Sequence, residues 1–426
     1  MLKDNIVKNI YGNAFWSVLG TIFSKGSILL SSIIVARILG QALYGELGLI
    51  RSTVNMFVVF ASFGLGLTAT KYISELKESN KERVSKIIGL MYVFSTGIGL
   101  IITVAIIIGS SFIVEQTINA PHLKKEIIYG GLMLFFSAIN GAQTGILNGF
   151  EEFKKIAVVN LIVGILSFPI QIVCAYFFGL SGAVIGFGLN FVLLWILNYF
   201  AVRKVLKQNY IYISFKGVLE ECNVLFKFSL PALLSGLLVT PVMWVCNVLL
   251  VNNANGYNEM AIYDVANQWK NIVLMLPAAM SGVILPMLSS SRGDSKKYKK
   301  VFSVNLGLSV SVSIVLTLIL VFLSNNIMSL YGHEYVDGRW VLIILLVSTI
   351  FMTYNGVIGQ AIASLGMMWV GFLLNLIWGV SLISLSYYFL AKGLGALGLS
   401  YGFLISYIIH SFLQSVVLLY IKKIKE

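Results

Sequence analysis

Apolar residues run through this chain in long stretches that are interrupted, at near-regular intervals, by charge, Gly or Asn. Twelve such stretches occur, at about 11–36, 43–70, 87–113, 126–149, 156–178, 182–202, 224–250, 261–290, 301–324, 339–364, 370–391 and 396–421. Each has the length of about 20 residues that a helix needs to cross a hydrocarbon core about 30 Å thick. Helices are predicted throughout, because lipid offers no partner to the backbone groups of an open strand and the stretches lack the alternation of a barrel. The first stretch is not read as a cleavable signal, since it is too long and no small-residue cleavage site follows it.

Composition agrees: 58% of the 426 residues are apolar, only 11% are charged, and the mean hydropathy is +0.90. Soluble domains carry about a quarter charged residues, so an all-α integral membrane protein is expected. With the N-terminus placed inside, twenty-one of the thirty Lys and Arg fall in inner segments, five (Arg37, Lys124, Lys125, Arg339, Lys392) fall in outer ones, and Lys25, Arg51, Lys227 and Lys270 fall in or at the ends of spans. That bias puts both termini in the cytoplasm. The net charge of +13 is read as this topology signal together with contact to anionic membrane lipids, not as nucleic-acid binding. Cys174 and Cys246 lie in spans and Cys222 in an inner loop, without metal-type spacing, so neither a metal site nor a disulfide is expected.

The chain also matches itself. Asn160 to Gly164 aligns with Asn375 to Gly379, and the triplet Gly179, Gly182, Gly186 aligns with Gly395, Gly398, Gly402; Tyr44 pairs with Tyr263, and Arg51 with Lys270. Pairings in order at near-constant offset indicate duplication. The expected organisation is an N-terminal six-helix bundle (1–202), a cytoplasmic linker (203–223) and a C-terminal six-helix bundle (224–426). Halves with an even number of spans insert alike and are related by a pseudo-twofold axis along the membrane normal, an arrangement that suits a cleft between bundles and alternating access. Leu2 to Phe15 and Val218 to Phe228 read as amphipathic segments at the cytoplasmic interface.

Charged residues inside a bilayer cost about 2.5–3.5 kcal/mol on insertion scales and so face a cavity or a partner. Lys25 sits near the middle of the first span with Ser17, Thr21, Ser24 and Ser32 on its side, and reads as cavity lining. Arg51 and Lys270, one per half, are expected on opposite walls of one cleft, joined by Asn55, Asn267 and Asn271, with Ser281 extending the same face. Asp264 and Glu46 are the acids nearest a span interior; they are candidates for H⁺ or Na⁺ coupling, with pairing of Asp264 to Lys270 as the alternative. Ser137, Asn140, Thr144 and Asn148 follow helical spacing and either line the cleft or bond between helices. Pro231, Pro241, Pro277 and Pro286 predict kinks in the seventh and eighth spans. His122, His333 and His410 are scattered, there is no P-loop, and neither catalytic chemistry nor a cofactor is expected.

Ala36 to Gly40 followed by Tyr44-Gly45, then Phe63 to Leu67 and Lys71 to Ile73, resemble the N-terminal signature of polysaccharide repeat-unit flippases; so do Ala266-Asn267-Gln268, Leu276-Pro277 and Leu285 to Ser289 of the eighth span. These flippases are part of the multidrug, oligosaccharidyl-lipid and polysaccharide (MOP) exporter superfamily. The resemblance implies twelve transmembrane helices in a MATE-like fold. It also implies a monomer that flips an undecaprenyl-diphosphate-linked oligosaccharide across the bacterial cytoplasmic membrane, alongside a polysaccharide polymerase and other assembly proteins. Lys25, Arg51 and Lys270 suit the diphosphate. A cation-coupled drug exporter would call for an acidic cavity, and a lipid II flippase usually has fourteen spans. A membrane glycosyltransferase would call for larger outer loops.

Overall fold

The computed structural model describes residue 20 and residues 23–425, apart from 63, 226–228, 230–237, 292 and 293; the side chains at 219, 279–286, 289, 290 and 421–425 also lie outside it. The expected amphipathic stretch at Leu2 to Phe15, together with Ser17, Thr21, Lys227, Pro231 and the side chains of Ser281 and Pro286, therefore lies outside the described residues. Every regular element among those described is helical.

The helices are α1 (23–39), α2 (Gln41–Ser62), α3 (Leu65–Leu76), α4 (Lys81–Phe112), α5 (Lys124–Gly149), α6 (Phe153–Gln208), α7 (Val239–Val251), α8 (Gly256–Ser290), α9 (Ser295–Phe322), α10 (Ser324–Tyr331), α11 (Arg339–Ser364), α12 (Met368–Ala391) and α13 (Gly395–Lys425). Seven helical segments among the described residues are long and apolar enough to cross a membrane. The shorter or more polar expected spans, at α1, α5, α7 and α8, are helical too. The chain is an all-α, multi-pass membrane protein.

One expectation changes. The second stretch, 43–70, is not one helix: Gly64 takes a left-handed conformation (φ 65°) and separates α2 from α3, a turn that glycine adopts without steric cost. The expected linker contains helical turns: after the Val218–Glu221 turn the chain is helical again at 223–225, and 226–228 lie outside the described residues. Helix α6 runs on to Gln208, residues 211–215 are irregular, and Val218–Glu221 form a 3-10 turn. The Ser214 N–H donates to the Ser85 carbonyl (3.4 Å) and the Ser85 hydroxyl to the Tyr212 carbonyl. A Cβ at Gly89 would overlap the Ser214 carbonyl oxygen, so glycine is what lets this strap lie against α4.

The paired glycine triplets have a structural reason. Helix α6 has 56 residues, about 84 Å at a rise of about 1.5 Å per residue and far more than one crossing. Gly179, at φ 58° and ψ −136°, breaks it into two limbs that fold back on each other. A Cβ at Gly182 would overlap the Cys174 carbonyl oxygen, one at Gly186 would lie 3.0 Å from the Gln171 Cα, and Asn190 donates to the Ser167 hydroxyl at 3.0 Å. The hairpin of α12 and α13 repeats the device: Gly395 has φ 50°, and Cβ atoms at Gly398 and Gly402 would crowd Phe389 and Ser386. Exposed aromatic runs precede both turns, Tyr176-Phe177-Phe178 and Tyr387-Tyr388, as expected of amphipathic rings at a membrane–water interface.

Lipid-facing and inward faces separate cleanly on α4. Leu100, Ile101, Val104, Ile108 and Phe112 are exposed, whereas Ser95, Thr103 and Ser110 are buried, with the Thr103 hydroxyl donating to the Gly131 carbonyl of α5 (3.3 Å). On α9 the inward stripe is Asn305, Ser309, Ser313 and Thr317, the last two bonded to Thr349 of α11 at 3.2 and 3.0 Å. Small and hydroxyl side chains permit such close helix approach where no hydrophobic force acts between helices in lipid.

Contacts divide the chain into two compact units, one holding Met1–Leu39 with Ile50–Thr240 and the other holding Gly40–Leu49 with Pro241–Glu426. The first unit has an apolar core at the linker end of α3, α4, α5 and α6, including Ile73, Ile87, Met91, Ile146 and Val205. Gly40–Leu49 packs onto α8 within the second unit: a Cβ at Gly45 would overlap the Tyr257 carbonyl oxygen, and one at Gly48 would lie 3.2 Å from the Asp264 Cβ.

Candidate functional site

In the first unit, α2 carries Arg51 inward, where only 9% of it is exposed. Its guanidinium carbon lies 5.5 Å from the centroid of Phe187, on the second limb of α6. Phe187 in turn meets Phe191, one turn on, edge to face at 5.3 Å. Asn55, one turn after Arg51, is exposed, and so is Lys25 on α1. Ser24 is half-buried, and Ser32 is fully buried with its hydroxyl on the Leu29 carbonyl (2.7 Å), so Ser32 does not share an open face with Lys25.

The second unit contains the same arrangement. Lys270 on α8 is 3% exposed, and its Nζ lies 4.2 Å from the centroid of Phe403 on α13. Phe403 meets Tyr407, again one turn on, at 5.0 Å. The matching rings, Phe187 with Phe403 and Phe191 with Tyr407, are separated in sequence by the spacing that relates Gly179, Gly182 and Gly186 to their partners. Sequence reasoning found both cations and missed both rings. The signal was present as that spacing, but Phe in an apolar span attracts no notice.

Lys270 makes no ion pair with Asp264. Six residues at 100° each place the two about 240° apart around α8, and Asp264 Oδ2 instead accepts from Gln268 Nε2 (2.9 Å), which also donates to the Tyr44 hydroxyl (2.9 Å). Among the described residues no hydrogen bond or ion pair reaches Lys270; its partner is the ring. A cation over a desolvated aromatic face gains about 2 kcal/mol, which offsets part of the cost of burying charge. Asn267 is half-buried and Asn271 is exposed on the same helix. Glu46 is 9% exposed and lies within electrostatic reach of Tyr257 in the second unit.

Other candidates turn out to be packing groups. Asn198 donates to Asn140 Oδ1 (2.6 Å) and to the Thr144 hydroxyl (3.4 Å), so these two residues of α5 bond to a neighbouring helix. His410 is 4% exposed and in contact with Gln414 (3.1 Å), with the Trp378 and Tyr407 rings each 6.4 Å away.

A family model described as polysaccharide biosynthesis protein matches residues 10–292. The chain is 25% identical over 421 residues to the lipopolysaccharide biosynthesis protein WzxC of Escherichia coli strain K12, covering 97% of this chain and 81% of that one. It is also 25% identical over 183 residues to the EPS I polysaccharide export inner membrane protein EpsE of Ralstonia nicotianae, a match that spans 42% of this chain and 41% of EpsE. Among solved structures, an inward-facing multidrug resistance MATE family transporter of the MOP superfamily superposes with a TM-score of 0.80 at 15% identity, covering 96% of this chain and 99% of the other. That likeness establishes a MATE-like fold, and the family match places the chain: it belongs to the polysaccharide biosynthesis protein family.

Proposed function

We propose that this protein flips a lipid-linked oligosaccharide, an undecaprenyl-diphosphate-linked repeat unit, from the inner to the outer leaflet of the bacterial cytoplasmic membrane by alternating access, with both termini cytoplasmic. Family membership and the relation to WzxC and EpsE support a polysaccharide precursor as cargo. The observation that carries the reading is Lys270: a buried ammonium with a phenyl ring for a partner and, among the described residues, no carboxylate in ion-pair reach. Such a charge is matched by an anion brought in from outside, and a diphosphate is the anionic part of this cargo. Arg51 supplies a second cation, and exposed Lys25 a third. Asn55, Asn267 and Asn271 are suited to sugar hydroxyls, while the polyprenyl tail stays in lipid.

The test is complementation of a strain lacking its repeat-unit flippase. The unmodified chain restores surface glycan. Lys270→Ala, verified as inserted, reduces export by roughly 30- to 150-fold, the worth of about 2–3 kcal/mol for charge-assisted hydrogen bonds. Lys270→Arg retains a substantial part. Full export by the Ala variant would sink the assignment, and drug resistance without glycan export would favour a drug exporter of the same fold.

A further inference from the structure

We propose that Phe403, with Phe187 as its counterpart in the first unit, is the positioning residue of the anion site: the ring holds the buried cation in place without consuming its charge or its hydrogen-bond donors. This rests on the reading of Lys270 as the ligand of a phosphoryl group.

The reasoning starts from what a buried cation needs. A carboxylate partner would stabilise Lys270 most, but it would cancel the charge and occupy donor hydrogens, leaving little for a ligand. A phenyl face attracts the ammonium through its quadrupole and has no lone pair to accept a conventional hydrogen bond, so the N–H donors of the ammonium that point away from the ring stay available. Phe403 is 1% exposed and its ring is braced by Tyr407 at 5.0 Å. That bracing fixes where the ring, and with it the ammonium, can be. Asp264, the acid nearest in sequence, is engaged by Gln268 and does not compete.

The recurrence in the other half makes packing coincidence a poor explanation. Arg51 over Phe187 braced by Phe191, and Lys270 over Phe403 braced by Tyr407, repeat cation, ring and second ring on corresponding helices. The cation differs between halves and so does the bracing ring. The phenyl ring beneath the cation is the part held identical.

A packing role and a cation-holding role separate on ring electronics. Fluorinated phenylalanines keep nearly the shape of the ring and progressively weaken its negative face. Full-length protein in lipid nanodiscs, carrying mono-, di- and trifluorophenylalanine at 403, is titrated with undecaprenyl diphosphate and, separately, with inorganic pyrophosphate. Affinity is expected to fall stepwise, reaching about tenfold weaker for the trifluoro ring, with thermal unfolding unchanged. The same series at 187 should give a shallower slope, since that cation lies at 5.5 Å and not 4.2 Å. A flat or rising series at 403, in protein whose Lys270→Ala variant has lost binding, overturns the positioning role and leaves the Lys270 assignment standing. If Lys270→Ala binds as well as the unmodified chain, the functional reading fails and this inference with it.

Discussion

The two cation sites are copies that have diverged in depth. Lys270 is 3% exposed and 4.2 Å from a ring that is itself 1% exposed; Arg51 is 9% exposed and 5.5 Å from a ring that is only half-buried. The second unit thus holds the more desolvated charge, and electrostatic attraction grows as the local dielectric falls. Depth, more than the number of cations, should decide how much each contributes. The largest effect that can break the comparison is therefore the difference between alanine substitutions. Lys270→Ala should impair glycan export about tenfold more than Arg51→Ala, in the complementation assay with both variants quantified in the membrane. Equal losses, or a larger loss at Arg51, would show that depth does not rank the two sites.

Much of this molecule was legible in its hydropathy and its internal repeat. The apolar runs gave the spans and the glycine triplets gave the repeat; that the triplets also build two hairpin turns, through positive φ and close backbone approach, came only with the geometry. The breaks that were missed are of another kind. Gly64 interrupts an apolar stretch by a single backbone dihedral, which hydropathy does not register. The packing of Gly40–Leu49 onto α8 is tertiary information that no local pattern contains. Arg51 and Lys270 stood out because charge is costly in lipid; Phe187 and Phe403 did not, because a phenyl ring costs nothing there. Pairing of Asp264 with Lys270 was the one expectation that helical geometry alone could have corrected, since residues six apart do not share a face.

A second, smaller effect sharpens the comparison at the hairpins. A methyl group at Gly182 would overlap the carbonyl oxygen of Cys174, whereas one at its counterpart Gly398 would sit 2.9 Å from the Leu394 Cβ. At this position the first hairpin is the tighter. Gly182→Ala should cost about 1–3 kcal/mol through forced separation of the limbs, and Gly398→Ala less, as overpacking costs scale with the displacement demanded. Thermal unfolding of the purified variants measures this. A larger drop for Gly398→Ala would reverse the order.

The smallest effect concerns two corresponding amides and should differ in sign. Asn198 in the first unit bonds across to Asn140 and Thr144 of another helix. Gln414, at the matching position in the second, contacts His410 on its own helix, and its Oε1 is buried without a partner. Interhelical hydrogen bonds in membranes contribute about 0.6 kcal/mol on average, so Asn198→Leu should lower the unfolding temperature slightly. Removing a buried acceptor that lacks a donor recovers its desolvation penalty, so Gln414→Leu should leave stability unchanged or raise it. If both lower stability equally, the second amide is satisfied by bound water and the two interiors are more alike than their direct bonds indicate. If the signs differ, this pair of corresponding amides has diverged: the first unit uses its amide to bond between helices, whereas the second leaves an acceptor unbonded on the helix that also carries Phe403.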